Sequence, residues 1–309
     1  MDIFLQQLVN GVVLGAIYAL VALGYTMVYG ILGLINFAHG EVVMIGAMVA
    51  LTVIQLLLAS GVPLPGPVVA AIGLAAAIPT CMLLGFAIER VAYRPLREAP
   101  RLAALITAIG MSIVLQNVAM IIWGRRYHSV PSLLPVTPHQ FAGATITDLQ
   151  IFIVLLAALI MAGLLYLVHR TRLGRAMRAT SQNPEVAGLM GVNINTVISM
   201  TFIIGSALAA VAGLMVSAYY GVAHYVMGFM LGLKAFTAAV LGGIGNLGGA
   251  MLGGLLLGVI ESLGAGYIGT LTGGFLGSHY QDVFAFTVLI LVLVFRPSGL
   301  LGERVTERS

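Results

Sequence analysis

Residues 5–29 read Leu5-Gln-Gln-Leu-Val-Asn-Gly-Val-Val-Leu-Gly-Ala-Ile-Tyr-Ala-Leu-Val-Ala-Leu-Gly-Tyr-Thr-Met-Val-Tyr29, an apolar run free of charged side chains. A helix that crosses a bilayer needs about 20 mostly apolar residues, so this run is long enough to span. No Lys or Arg precedes Arg90; the run therefore lacks the basic flank of a cleavable signal peptide and is expected to be retained. Comparable runs recur at approximately 42–60, 68–88, 102–123, 150–168, 197–219, 226–245, 249–268 and 281–296. The pattern predicts an all-α polytopic membrane protein with eight to nine transmembrane helices and glycine-rich broken segments, forming one membrane domain over 1–309.

Composition agrees. Of 309 residues, 60% are apolar and 8% charged, against roughly 45–50% and about 25% in soluble proteins. The mean hydropathy of +1.08 excludes a soluble globular enzyme. An isoelectric point near 9.4 and a net charge of +4 do not indicate a nucleic-acid binder, because the arginines sit in short loops between apolar runs. Cys81 is the single cysteine, so no intrachain disulfide or cysteine metal cluster can form.

Three loops carry most of the positive charge: Arg90, Arg94, Arg97 and Arg101; His169, Arg170, Arg172, Arg175 and Arg178; and Arg296, Arg304 and Arg308. The positive-inside rule makes these cytoplasmic. Alternation then puts the N-terminus outside, the C-terminus inside, and the 124–149 loop outside. Arg125 and Arg126 run against that assignment. Nine crossings satisfy the alternation; eight require one segment to re-enter. Pro131, Pro135, Pro138 and Gly143 make 124–149 too polar and broken to cross.

Two stretches differ from plain spans. Gly30-Ile-Leu-Gly-Leu-Ile-Asn-Phe-Ala-His-Gly-Glu41 sets Asn36, His39 and Glu41 among glycines between apolar runs. Such residues line a cavity if the stretch lies at membrane depth; alternatively it is a cytoplasmic turn in which Asn36 and Glu41 cap the next helix. Gly232-Leu-Lys234 begins the second stretch, which carries Thr237 and runs into Gly242, Gly243, Gly245, Gly248 and Gly249. Lys234 is the only lysine, and an ammonium there must pair, snorkel or line water. Glu261 is a candidate partner, and the glycine run marks a broken helix. Gly11 with Gly15, Gly249 with Gly253 and Gly254 with Gly258 have the four-residue spacing that lets helices pack closely.

In the inner loop 169–196, Asn183 is placed to cap a short helix with Pro184 first and Glu185 in its first turn. That helix would expose Val186, Leu189 and Met190, either to dock another protein or to lie flat on lipid. No Gly-Lys-Ser/Thr phosphate loop exists, so the chain has no nucleotide site of its own and no cofactor is expected in it. Ser217, Ser262 and Ser278 sit in no Gly-x-Ser-x-Gly frame, there is no His-Glu-x-x-His, and His39-Gly-Glu41 without a second ligand cluster gives no metal site.

Four blocks, Tyr25-Thr-Met-Val-Tyr-Gly-Ile-Leu-Gly-Leu-Ile-Asn-Phe-Ala-His-Gly-Glu41, Glu89-Arg-Val-Ala-Tyr-Arg-Pro-Leu-Arg97, Ala108-Ile-Gly-Met-Ser112 and Lys234-Ala-Phe-Thr-Ala-Ala-Val-Leu-Gly-Gly-Ile-Gly245, carry a resemblance along nearly the whole chain. It resembles the LivH-type permeases of bacterial branched-chain amino-acid ABC importers. That resemblance implies a transmembrane permease domain in the bacterial inner membrane, with a periplasmic N-terminus and 124–149 loop. It also implies a LivM-type second permease, two cytoplasmic ATPase subunits that bind the ATP, and a periplasmic amino-acid-binding protein. Glu185-Val-Ala-Gly-Leu-Met-Gly191 is similar to the Glu-Ala-Ala-x-x-x-Gly coupling signature except at Val186, and lacks the usual Ile-x-Leu-Pro ending. Asn183, Pro184, Glu185, Ala187, Leu189, Met190 and Gly191 are thus the expected ATPase-coupling helix. Asn36, His39, Glu41, Lys234, Thr237, Gly242, Gly243 and Gly245 are the expected translocation path. A related urea or amide importer remains an alternative, as does a stand-alone secondary transporter coupled through Glu41, Lys234 and Glu261; an intramembrane enzyme would need a nucleophile–base pair, and none is visible.

Overall fold

The computed structural model describes residues 2–97, 99–134, 137–141, 143–273, 275, 280–296 and 298–302. Arg304, Arg308, Pro135 and Ser278 lie outside the described residues. Every apolar run becomes a helix: α1 (Asp2–Leu32), α2 (His39–Ala59), α3 (Gly66–Ile88), α4 (Arg101–Trp123), α5 (Asp148–Arg170), α8 (Ile194–Tyr220), α9 (Met227–Gly242), α10 (Leu247–Leu271) and α11 (Gln281–Phe295). The inner loop adds α6 (Arg172–Gln182) and α7 (Pro184–Leu189). Among the described residues, seven helices, α3 counted with its extension to Leu96, are long and apolar enough to cross a membrane. The other two of the nine apolar helices, α9 and α11, have 16 and 15 residues; at 1.5 Å per residue each falls short of a hydrocarbon core about 30 Å thick.

α1 forms the centre of the bundle. Residues 16–25 on it are essentially all buried, whereas α4 and α5 turn Ile121, Leu155 and Leu159 outward, each at least 65% exposed. Such faces suit lipid or a partner helix. α1 packs against α10 through glycines. A Cβ on Gly11 would lie 2.6 Å from Val259 Cα, and one on Gly15 2.7 Å from Leu255 Cα. Backbone cannot yield as a side-chain tip would. Gly15→Val is therefore expected to lower the unfolding free energy of the purified chain by about 1–3 kcal/mol. Gly110→Ala, whose Cβ meets nothing within 4 Å, should leave thermal unfolding unchanged or slightly raised; equal melting of the two variants would contradict this packing.

Contact positions also fix directions. Gly11 meets Val259 and Gly15 meets Leu255, so α1 and α10 are antiparallel. Glu41 reaches Ser112 and Gln116 while Trp123 Nε1 donates to Thr52 Oγ1 at 2.8 Å, so α2 and α4 run parallel. Ser112 is 11 residues into α4, roughly 16 Å along its axis. The start of α2 therefore lies level with the middle of α4. Residues 33–38 climb back into the bundle to reach that level, with Gly33 at φ +63° ending α1.

At the end of α3 the helix widens into a π turn, Glu89–Tyr93, followed by a 3₁₀ turn, Arg94–Leu96. The 124–149 loop holds β1 (His128–Ser129) and a hairpin of β2 (Pro138–Phe141) with β3 (Ala144–Thr147). β1 pairs antiparallel with β4 (Val222–Ala223), tying this loop to the end of α8. Thr147 caps α5 with a capping box closed by Gln150.

Candidate functional site: a cavity at the broken start of α2

The 30–41 stretch does not cap a helix as a simple turn would. No side chain caps α2. Asn36, 3% exposed, instead accepts the Tyr93 hydroxyl at 3.1 Å. His39 is 2% exposed and meets the Tyr25 ring edge-on at 5.0 Å. The ring fits because residue 24 is glycine; a Cβ there would occupy the imidazole position. Glu41 is fully buried, and its Oε1 accepts Ser112 Oγ at 3.0 Å and Gln116 Nε2 at 2.7 Å. Its other oxygen, Oε2, has no hydrogen-bond partner among the described residues.

Beside this cluster lies a cavity of about 380 Å³ bounded by α1, the 33–38 segment, α4 and α9. Its polar surface comes from Tyr25, Ser112 and Gln116, and its apolar wall includes Phe37, Ile109 and Phe229. α9 reaches the start of α2 by glycine on glycine: a Cβ on Gly40 would sit 2.8 Å from Gly232 Cα. Asn36, His39 and Glu41 thus turn to different neighbours, Tyr93, Tyr25 and the α4 pair, and none of the three is among the residues that line the cavity; Glu41 reaches it through Ser112 and Gln116. Ser112 and Gln116 were not singled out in the sequence. Two polar residues four apart, on one face of a largely apolar helix, were the available signal.

The other path residues are engaged elsewhere. Lys234 Nζ sits 2.6 Å from Glu261 Oε1 and 2.7 Å from Asp282 Oδ1. Tyr18 donates to Glu261 Oε2 at 2.9 Å, and the ammonium lies 5.8 Å above the Tyr18 ring. This buried cluster joins α1, α9, α10 and α11. Thr237 returns its hydroxyl to Leu233 O, 2.9 Å away on its own helix. Gly242, Gly243 and Gly245 form the α9–α10 bend, where φ reaches +107° at Gly243 and +96° at Gly245. The chain end fastens that bend: Leu300 N donates to Leu241 O and Leu301 N to Gly242 O, both at 2.9 Å.

On the inner loop, Asn183 accepts Val186 N at 3.0 Å, with Pro184 at the first position of α7. Ala187 faces the protein, whereas Val186, Leu189 and Met190 are 52%, 87% and 80% exposed. Gly191, at φ +86°, turns the chain toward Asn193, whose side chain caps α8. α8 is joined to the rest by the buried Glu89, which pairs with Arg97 and accepts Ser199 Oγ at 2.8 Å; Arg97 also donates to Asn195. Among the described residues, no three of His, Cys, Asp and Glu converge as a metal-holding group.

Residues 7–293 match the family described as branched-chain amino acid transport system / permease component. The chain belongs to this family. It is 49% identical over 309 residues to the high-affinity branched-chain amino acid transport system permease protein BraD of Pseudomonas aeruginosa, covering 99% of this chain and 98% of that protein. It is 48% identical to the LivH permease of the same description from Escherichia coli K12, with 99% and 97% covered. A probable branched-chain amino acid transport permease LivH of Methanocaldococcus jannaschii is 28% identical over 95% of this chain and 91% of its own length. As a member of this permease family with seven apolar helices of spanning length, the chain is a multi-pass membrane protein and a transport component rather than an enzyme.

Proposed function

We propose that this chain is the permease subunit of an ATP-driven importer that carries leucine, isoleucine and valine across the bacterial inner membrane. The observation that carries this reading is the 48–49% identity, over nearly full length, to permeases of high-affinity branched-chain amino acid systems. The cavity supports it: an apolar wall suits an aliphatic side chain, and a few polar groups suit a zwitterion.

In this reading 1–309 is one permease domain, paired with a LivM-type second permease. A periplasmic amino-acid-binding protein docks on the outer face, which includes 124–149. Two cytoplasmic ATPase subunits bind the ATP, and 169–196 presents α7 to one of them. Residues 183–191 form the coupling element, because three apolar side chains there stand in water unless a partner covers them. Asn36, His39 and Glu41 border the translocation path. Lys234, Thr237, Gly242, Gly243 and Gly245 hold the surrounding α9–α10 hairpin in shape.

In this reading the N-terminus is periplasmic and the C-terminus cytoplasmic, and seven full-length spans are joined by two short apolar helices, α9 and α11, that complete the alternation without covering the whole hydrocarbon thickness. α10 is antiparallel to α1, which an alternating chain achieves only if α9 reverses direction before it. α11 then returns the chain inward. The test is reconstitution of the chain with these partners in lipid vesicles. Labelled leucine is expected to enter on ATP addition and to be displaced by isoleucine and valine; entry of urea or a simple amide instead would reassign the substrate class.

A further inference from the structure

The cavity offers its occupant acceptor oxygens on Ser112 and Gln116, backed by the Glu41 carboxyl group, beside the remaining N–H of Gln116 and the Tyr25 hydroxyl. Ser112 donates its one hydroxyl proton to Glu41, leaving oxygen lone pairs. Gln116 donates one amide N–H to the same oxygen and keeps its carbonyl as an acceptor. Glu41 takes part in no ion pair among the described residues, and its Oε2 has no hydrogen-bond partner among them. Lys234, on the helix that forms one wall, does not neutralise it, because Glu261 and Asp282 hold that ammonium. A buried carboxylate without a cation is costly and tends to take up a proton, so an arriving cation favours the charged form of Glu41. The opposite wall is apolar and aromatic, with Phe37, Ile109 and Phe229. The volume of about 380 Å³ is at the scale of a small-ligand pocket.

We propose that Glu41, acting through Ser112 and Gln116, is the ammonium-recognising element of the passage. An aliphatic amino acid crosses with its α-ammonium against Ser112 and Gln116 and its side chain against Phe37 and Phe229. Glu41 is a positioning residue in this arrangement, and the negative charge it sets behind the wall selects the cationic end of a zwitterion. The inference rests on the permease reading above.

The test uses the complete complex in lipid, with a thiol introduced at the cavity wall by Met230→Cys. Cys81, the one natural cysteine, is 0% exposed and supplies little background. Cationic and anionic methanethiosulfonate reagents of matched size are compared. The cationic reagent is expected to react faster, on the order of tenfold, with the ratio collapsing toward one in the Glu41→Gln background. A purely structural role for Glu41 would not produce that charge dependence. Leucine should slow the labelling, whereas its amine-free analogue 4-methylpentanoate should not. Glu41→Gln should also lower leucine uptake. A ratio near one with Glu41 present overturns the proposal even if Glu41→Gln fails to assemble, and so does a ratio unchanged by Glu41→Gln. Lack of leucine uptake by the unaltered complex would instead overturn the transport reading, and the labelling ratio separates the two failures.

Discussion

Glu185→Arg is expected to leave the complex assembled in the membrane but to cut ATP-driven leucine uptake at least roughly tenfold while ATP hydrolysis continues, the loss of about 1.4 kcal/mol or more of coupling. The reason lies in how α7 is mounted. Its inner side is fixed by Ala187 and the Asn183 cap, and its outer side presents Val186, Leu189 and Met190 to water. A cytoplasmic subunit that covers those side chains gains apolar burial and a rigid hold on the helix. Only Met190, Gly191, Val192 and Asn193 separate α7 from α8, and α8 packs on α1, α2 and α3. In the proposed complex a push on α7 would pass through α8 to α1, which borders the cavity, and to α2 and α3. Arginine at position 185 places positive charge in the first turn, where the helix dipole disfavours it, and reverses the charge offered to the partner. Transport assays in reconstituted vesicles measure the effect, and uptake at the unaltered rate would remove α7 from the coupling path.

Lys234→Met is expected to destabilise the purified protein by about 3–5 kcal/mol, because it strips the cation from a fully buried carboxylate. Glu261 is 0% exposed and would retain only the Tyr18 hydroxyl. Asp282, 32% exposed at its side chain, loses the same cation, and its Oδ1, the atom that faces Lys234, is buried. Adding Glu261→Gln to Lys234→Met should recover much of the loss, since no buried charge then remains on α10. Thermal unfolding in detergent reads both variants. Unaltered melting of Lys234→Met would show that the cluster does not hold α9 and α11 to the bundle.

The helices were legible in the sequence because long apolar runs have few alternatives in a membrane protein. The run at 102–123 becomes Arg101–Trp123, and that at 150–168 becomes Asp148–Arg170. Helix α7 was legible through its cap and its leading proline, both local signals. The depth at which α2 begins was not legible. It depends on Glu41 meeting Ser112 and Gln116, more than 70 residues away, and local periodicity carries no such information. Glu261 was a visible candidate for Lys234, but Asp282 was hidden because it opens a different helix. The bend at Gly242–Gly245 looked like backbone offered to a ligand, yet the chain end occupies it through Leu300 and Leu301. The glycine pattern marks a close approach without saying what approaches.

The proposed division of labour places the passage in this chain and the energy and substrate capture in separate subunits. Its most direct test measures labelled leucine in vesicles that hold this chain alone under an imposed proton or sodium gradient, beside vesicles that hold the complete set of subunits with ATP and the binding protein. Accumulation is expected in the complete set and none by the chain alone. Gradient-driven accumulation by the isolated chain would contradict that division.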